Sequence, residues 1–411
     1  MEASTSSAPD RWFQVGSSAA PDAFAAGAQA ARQAQADRVA SLVLVFCEAA
    51  LDVRRVMDGV CSVTAADTMV AGGTTMGQVA PPMSGVDGID GADAAVVAVA
   101  LGGAGFQVTA AVSHAASERR REAGHEAAAA LDAVDLPHRT LLLFSDGLTR
   151  EQHEIVRGAY GHVGASVPII GGCTADNMLY HATYQFIGTG AGVEVLRDAV
   201  VGIGLGSSGP MGFGIAHGWT KLGDAMVVTS SAGGQVYLLD DEPAAEVYLR
   251  RIASGRTLQE AKQLREQDPM AFVELLFNNP LGLSRRSGED LRVVHDIDFE
   301  HGSIECLADV PQGALAWAMT TDPDALIEAA ASSCDAAVDA LDGLDPLGFL
   351  VFDCGARKAR LGPDGARAEQ EAFGKPAGGK PFGGFYTYGE IGRVQGARGM
   401  HQLTVVTLAL S

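Results

Sequence analysis

The sequence predicts a mixed α/β (α+β) protein, a layered sandwich of helices and sheets built from internally repeated strand-helix-strand units. Three observations predict it. Short continuous apolar runs of strand length, apolar enough to be buried on both faces, recur as "SLVLVF", "TLLLFS" and "LGFLVF". A Gly-Gly pair follows each by about thirty residues, at Gly72-Gly73, Gly171-Gly172 and Gly383-Gly384. Helical stretches such as the alanine-rich "PDAFAAGAQAARQAQADRV", with Pro21 near its start, lie beside these runs.

In chain order, the first copy runs from "LVLVFCEAALDVRRVMDGV" through "VAGGTTMGQV" to "DAAVVAVAL". The second runs from "TLLLFSDGLTREQHEIVRGAYGHV" through "IIGGCTADNM" to "RDAVVGIGLG", and the third from "LGFLVFDCGARKARLG" through "PFGGFYTYGEI" to "HQLTVVTLAL". Each reads as strand, turn or helix, strand with Gly-Gly, then a further buried strand. The copies lie far apart, so this is no solenoid. Between the second and third, "DDEPAAEVYLRRIASGRTLQEAKQLREQDPMAFVELLF" reads as helical and "RVVHDIDFEHGSIECLADVPQGALAWAM" as antiparallel strands. "DPDALIEAAASSCDAAVDALDGL" is a helix opened by Asp322-Pro323, and the Gly/Pro-rich "RLGPDGARAEQEAFGKPAGGKPFGG" reads as a mobile loop. The length of 411 residues suggests two or three domains. The expected organisation is a flexible N-terminus over 1–14, an N-terminal domain over 15–245 and a C-terminal domain over 246–411.

Charge and composition exclude several classes. A formal net charge of −21 repels phosphate backbones and anionic membranes, so neither nucleic acid nor membrane is expected as a partner. The basic run "ERRREAGHE" is flanked by glutamates and reads as a solvated helix start. Six cysteines lack C-x-x-C spacing, no apolar run reaches spanning length and no signal peptide is legible, which together predict a soluble cytoplasmic protein with reduced thiols.

Catalytic signatures are absent. "GLGSSG" after a strand continues into another strand, so a β-turn accounts for it better than a dinucleotide fingerprint. Cys173 in "GGCTADN" is weighed as a nucleophile, but Thr74 and Phe385 occupy the positions matched to it in the other copies, and a small buried thiol is the simpler account. The ten histidines show no metal-ligand spacing, whereas a single-histidine haem site would leave no local trace; His114, His181, His217 and His401, near strand ends, are its candidates.

The stretch "PFGGFYTYGEIG" crowds Phe382, Phe385, Tyr386 and Tyr388 into a chain that is 6% aromatic. Read as one strand, it puts Phe382, Gly384, Tyr386, Tyr388 and Glu390 on one face. That face is either the floor of a binding site or a packed hairpin with Glu390 paired to Arg393 or Arg357. Asp353, Cys354 and Arg357 end the preceding strand, where open α/β sheets place ligands.

These residues carry a resemblance. "LGFLVFDCGARKARLG", "PFGGFYTYGEIG" and "HQLTVVTLAL" resemble the C-terminal part of FIST (F-box and intracellular signal transduction) sensory proteins. "LLLFSDG", "IIGGCTADN", "AVVGIGL" and "HGWTKLGDAMVVTSSAGGQVYLLDDEPAAEVY" resemble the N-terminal part, and the likeness spans about Val15 to Leu410. The resemblance implies a ligand sensor rather than an enzyme. Its ligand would be a small molecule such as an amino acid or, as in some bacterial members, haem used to sense nitric oxide. It further implies that the signal passes to a separate protein, such as a histidine kinase or a cyclic-di-GMP enzyme. The expected ligand-binding residues are Gly171, Gly172, Cys173, Thr174, Asp353, Cys354, Arg357, Gly383, Gly384, Phe385, Tyr386, Tyr388 and Glu390.

Overall fold

Alternation inside the apolar runs decides the architecture. Leu42, Leu44 and Phe46 belong to one core, while Val43, Val45 and Cys47, one residue out of phase, belong to another. The same two-residue period divides Leu142 and Phe144 from Leu141 and Leu143, and Leu350 and Phe352 from Phe349 and Val351. Each run is therefore a strand buried on both faces, one against its own helices and the other against a core shared by three sheets.

A computed structural model of the protein describes residues 11–81, 94–285, 288–394 and 399–411. It is mixed α/β, and its chain divides into two compact units: Met1–Ala216 with Ile327–Met400 and Thr404–Ser411, and His217–Leu326 with His401–Leu403.

The first unit holds the three copies. Each has a leading strand (Leu42–Glu48, His138–Ser145, Gly348–Cys354) paired in parallel with a glycine strand (Met69–Thr75, Ile169–Cys173, Phe382–Thr387). A closing strand (Val96–Gly102, Ala199–Ser207, Val405–Leu410) lies antiparallel on the other side of each leading strand. An edge strand (Trp12–Ser18, Phe106–His114, Met211–Ala216) then pairs with the closing strand. Each copy thus begins one strand and one helix earlier than the sequence pattern suggested. The helices are Ala23–Gln35, Arg120–Ala128 and Pro323–Asp339, the first capped by Asp22, whose Oδ1 accepts from the Ala25 amide at 2.8 Å. In the third copy, residues 217–322 intervene between edge strand and helix, so most of the second unit is an insertion.

Each glycine strand is followed by a short strand that crosses to a neighbouring copy. Gln78–Val79 pairs with the third copy's glycine strand, Gln185–Thr189 with the first copy's, and Glu390–Arg393 with the second copy's. The exchange is cyclic, and a pseudo-threefold arrangement results. Phe46, Phe144 and Phe352 occupy equivalent positions at its centre, with Phe46–Phe144 and Phe144–Phe352 ring centroids 6.0 and 6.1 Å apart. Phe385 fills the remaining space, stacked on Phe46 at 4.7 Å.

Register refines the Gly-Gly alignment. Val45 pairs with Gly72, Leu143 with Gly171, and Val351 with Gly384. A Cβ at any of these three glycines would overlap the carbonyl oxygen of its partner. The third copy is thus offset by one residue, and the equivalent of Cys173 is Tyr386, not Phe385.

Three further expectations change. Trp12 to Gln14, expected to be flexible, begin the first strand; the rest of that expectation, over 1–10, lies outside the described residues. The predicted mobile loop after Arg360 is mostly helix, Gly355–Gly374, broken only at Gly362, where φ is 67° ahead of Pro363. "PFGGFYTYGEIG" is not one strand: Phe382–Thr387 ends in a turn at Tyr388-Gly389, and Glu390–Arg393 joins a different sheet.

The second unit is an antiparallel sheet in which the long strand Thr220–Ala232 pairs with both Gln235–Leu239 and Leu315–Thr320. Helices Ala244–Arg251, Leu258–Gln267 and Pro269–Phe277 contribute to its core through residues such as Tyr248, whose hydroxyl donates to the Asn279 carbonyl at 2.7 Å. No helix among the described residues is long and apolar enough to cross a membrane.

Candidate functional site

Where the parallel pairs end, the backbone repeats its cyclic exchange. The amides of Met76, Ala175 and Tyr388 donate to the carbonyls of Tyr386, Thr74 and Cys173 at 3.0, 2.9 and 3.1 Å. Side chains beside this ring also correspond. Gln78 donates to Thr75 Oγ1 at 2.9 Å and Gln185 donates to Thr174 Oγ1 at 2.7 Å. In the third copy the corresponding pair is Thr387 and Glu390, with Thr387 Oγ1 donating to Glu390 Oε1 at 2.7 Å.

The symmetry is broken chemically in the third copy. Where the others carry Cys47 or Ser145, Thr74 or Cys173, and Gln78 or Gln185, the third carries Asp353, Tyr386 and Glu390. Asp353, Arg357, Glu369, Tyr386 and Glu390 are all fully buried. Arg357 Nε donates to Asp353 Oδ1 and Arg357 Nη2 to Glu369 Oε1, both at 2.7 Å. The Tyr386 hydroxyl donates to Glu369 Oε2 at 2.9 Å, and the Cys354 amide donates to Asp353 Oδ1 at 2.7 Å.

Two carboxyl groups share one guanidinium here, which fixes the protonation. Burial, reinforced by the Asp353 charge, pushes Glu369 up to about 8 against the opposing pull of Arg357 and Tyr386. Asp353 is raised by burial, with Arg357 opposing. Asp353 Oδ2 is buried without a hydrogen-bond partner. With Glu369 protonated, one guanidinium faces one ionised carboxylate and the cluster is neutral. For Arg357, burial opposes the charge, but Asp353 and Glu369 outweigh it and hold the pKa above its ordinary value. Glu390 is pushed up to about 7 by burial, against hydrogen bonds from Thr387 and from Thr404, whose amide and hydroxyl reach Oε2 at 3.1 and 3.0 Å.

Tyr388 is the phenol of the motif that reaches the surface. Its hydroxyl donates to Asp176 Oδ1 at 2.6 Å and accepts from the Met178 amide at 2.6 Å. Its ring stacks on Tyr180 at 5.1 Å and lies against Gly147, where a Cβ would come within 3.0 Å of Tyr388 Cδ2. Asp176 also accepts from the amides of Tyr180, His181 and Ala182 at 2.9, 2.6 and 2.9 Å. Burial would raise Asp176, but these bonds and that from Tyr388 prevail and hold it below its ordinary value. Asn177, Met178 and Tyr180 all adopt positive φ, at 57°, 64° and 54°. Such a run of non-glycine residues is strained and persists where neighbouring bonds dictate it. The loop leaves Leu179 and Tyr180 61% and 55% exposed.

The structure therefore divides the anticipated residues. Asp353, Arg357 and Tyr386 come together in a closed cluster, with Glu390 beside it. Gly171, Gly383, Gly384 and Phe385 are packing positions, and Gly172 lies against Thr387 and Phe385. Thr174 is buried and donates to the Ser145 carbonyl at 3.2 Å. Cys173 is buried, accepts from Ser145 Oγ at 3.3 Å, and is pushed up to about 12 by burial, which suits it poorly to nucleophilic work. Cys354 is buried. Of the haem candidates, His114 and His181 are exposed, whereas His217 and His401 belong to the second unit, where the His217 Nδ1 accepts from the Trp219 amide at 2.9 Å. None of the four lines the cavity described below. Sequence reasoning missed Asp176, although it lay inside "GGCTADN", and Glu369, hidden in the segment read as a loop.

Comparison with known families agrees with this arrangement. Residues 41–242 match the FIST N domain and 244–393 match the FIST C domain. The chain belongs to the FIST family, whose domains are associated with signal-transduction sensing. No curated protein matches it closely enough to name a relative.

Proposed function

We propose that the protein senses a small ligand, of amino-acid type, at the strand ends of the third copy. The single observation that carries the reading is the chemical asymmetry of a pseudo-threefold scaffold. At the positions of Asp353, Tyr386 and Glu390 the other two copies carry neutral side chains, so the fold itself does not require a buried Asp-Arg-Glu-Tyr cluster. Such a cluster is weak evidence for stability, because desolvation offsets its attraction. It is better explained as part of a working site.

Ligand contact falls to the accessible members: Tyr388, the Tyr180 stacked on it, and Lys358. The Lys358 ammonium lies 5.2 Å from the Tyr386 ring centroid and donates to the Met76 carbonyl at 3.3 Å. Aromatic faces with a cation and the Asp176 carboxylate nearby suit a zwitterion bearing an apolar side chain. Binding would select one arrangement of the strained 177–181 loop, and a separate cytoplasmic partner such as a histidine kinase would read it.

A thermal-shift panel of the amino acids tests this. Wild-type protein should gain stability with at least one of them, since a ligand at 100 times its Kd adds about 2.7 kcal/mol. Tyr388→Ala, checked for folding by circular dichroism, should lose at least tenfold in affinity. Unchanged affinity in that variant, or no shift by any amino acid, would remove the proposal.

A further inference from the structure

At the opposite ends of the same parallel strands lies a cavity of about 540 Å³, within the size range of ligand sites. It opens where the second copy's leading and glycine strands begin, beside the third copy's edge strand and the end of Glu390–Arg393. Among the described residues its lining carries three nitrogen bases, His138, Arg139 and Arg393, and no carboxylate. In a chain of net charge −21 this is a local reversal of sign. Met211 and Phe213 supply an apolar wall, and Ser166 a hydroxyl at the rim.

Arg393 is the best-prepared of the three bases. Its guanidinium sits 3.5 Å above the Tyr160 ring centroid, so one face is covered and its orientation held. Gly399, at φ 93°, lies against its stem, where a Cβ would come within 2.9 Å of Arg393 Cβ. Arg393 Nη1 is buried without a hydrogen-bond partner. A stacked, planar fork suits the two oxygens of a carboxylate.

We infer that this cavity is an anion site for a small organic acid, with the carboxylate on Arg393 and Arg139 and the apolar body against Met211 and Phe213. The lack of an acidic lining residue disfavours zwitterions, whose ammonium would meet only cations. The inference stands on this cavity alone and does not rest on the sensing site at the other ends of the strands.

Isothermal titration of the full chain with benzoate, acetate and inorganic phosphate tests it. Benzoate should bind, acetate at least tenfold more weakly for want of an apolar body, and phosphate more weakly than benzoate. Arg393→Gln should weaken benzoate at least tenfold. Arg139→Gln, at an exposed position with little effect on folding, should weaken it several-fold, and added salt should reduce binding. Three results would overturn the inference: no benzoate binding to wild type, benzoate affinity unchanged in folded Arg393→Gln and Arg139→Gln, or phosphate binding more tightly than benzoate.

Discussion

Replacing Glu369 with glutamine separates a protonated acid from an ionised one. In the structure Glu369 accepts from Arg357 through Oε1 and from the Tyr386 hydroxyl through Oε2, and burial favours its protonated form. A glutamine is likewise neutral, and its carbonyl can accept from Arg357. The folded pKa, about 8, lies above the ordinary 4.5, so this group's contribution is fullest below about pH 4.5 and declines as pH rises toward about 8. Each pH unit in that window removes about 1.4 kcal/mol, or on the order of 3 kcal/mol between about pH 5 and about pH 7.5. Glutamine has no such slope. Glu390 has a shift of the same sign but is present in both proteins, and its effect largely cancels in the comparison. Glu369→Gln should therefore gain on wild type by on the order of 3 kcal/mol across that range. Urea unfolding at both pH values, read from protection of the Gly348–Cys354 amides and corrected for intrinsic exchange, confines the measurement to the first unit. A stability difference independent of pH, or one moving against the variant as pH rises, would show that Glu369 is not the proton carrier.

The repeat yields a second substitution: Glu390→Gln installs the residue of the other two copies and should fold with a thermal midpoint at or above wild type at about pH 8, where the buried carboxylate is most costly. A lower midpoint there would show that Thr387 and Thr404 require a charged partner. Gly384→Ala should cost about 3 kcal/mol or prevent folding, because its Cβ meets the Val351 carbonyl, whereas Gly383→Ala meets the side chains of Val99 and Val15 and should cost on the order of 1 kcal/mol. Equal costs by chemical denaturation would refute the one-residue offset of the third copy. Iodoacetamide followed by mass spectrometry should label the partly exposed Cys61 well before the buried Cys173, which should react only as the protein unfolds. Early labelling of Cys173 would reopen the case for a nucleophile.

Strands that alternate between two apolar environments look the same from either side, so the leading, glycine and closing strands were legible as continuous runs. Their order was not. The cyclic exchange depends on strands as short as Gln78–Val79, which carry no period of their own. Gly171 and Gly384, expected to contact a ligand, instead make room for the neighbouring strand's carbonyl. The aromatic crowding at 382–388 has two causes: Phe385 fills the shared core, while Tyr388 turns outward to hold the 177–181 loop. Glu369 was concealed because Gly362 and Pro363 signal a loop, whereas the structure uses them to bend a helix whose second leg returns the carboxyl to Arg357. Periodicity locates neighbours along a chain, and this cluster joins residues that only tertiary packing brings together.

Hydrogen exchange with and without a saturating amino acid identified by the thermal-shift panel tests the sensing site most directly. The account predicts slowed exchange concentrated in residues 176–184 and 386–390, with the slowing lost in Tyr388→Ala. Protection confined to other segments, or protection at these segments that survives the loss of the Tyr388 ring, would contradict it.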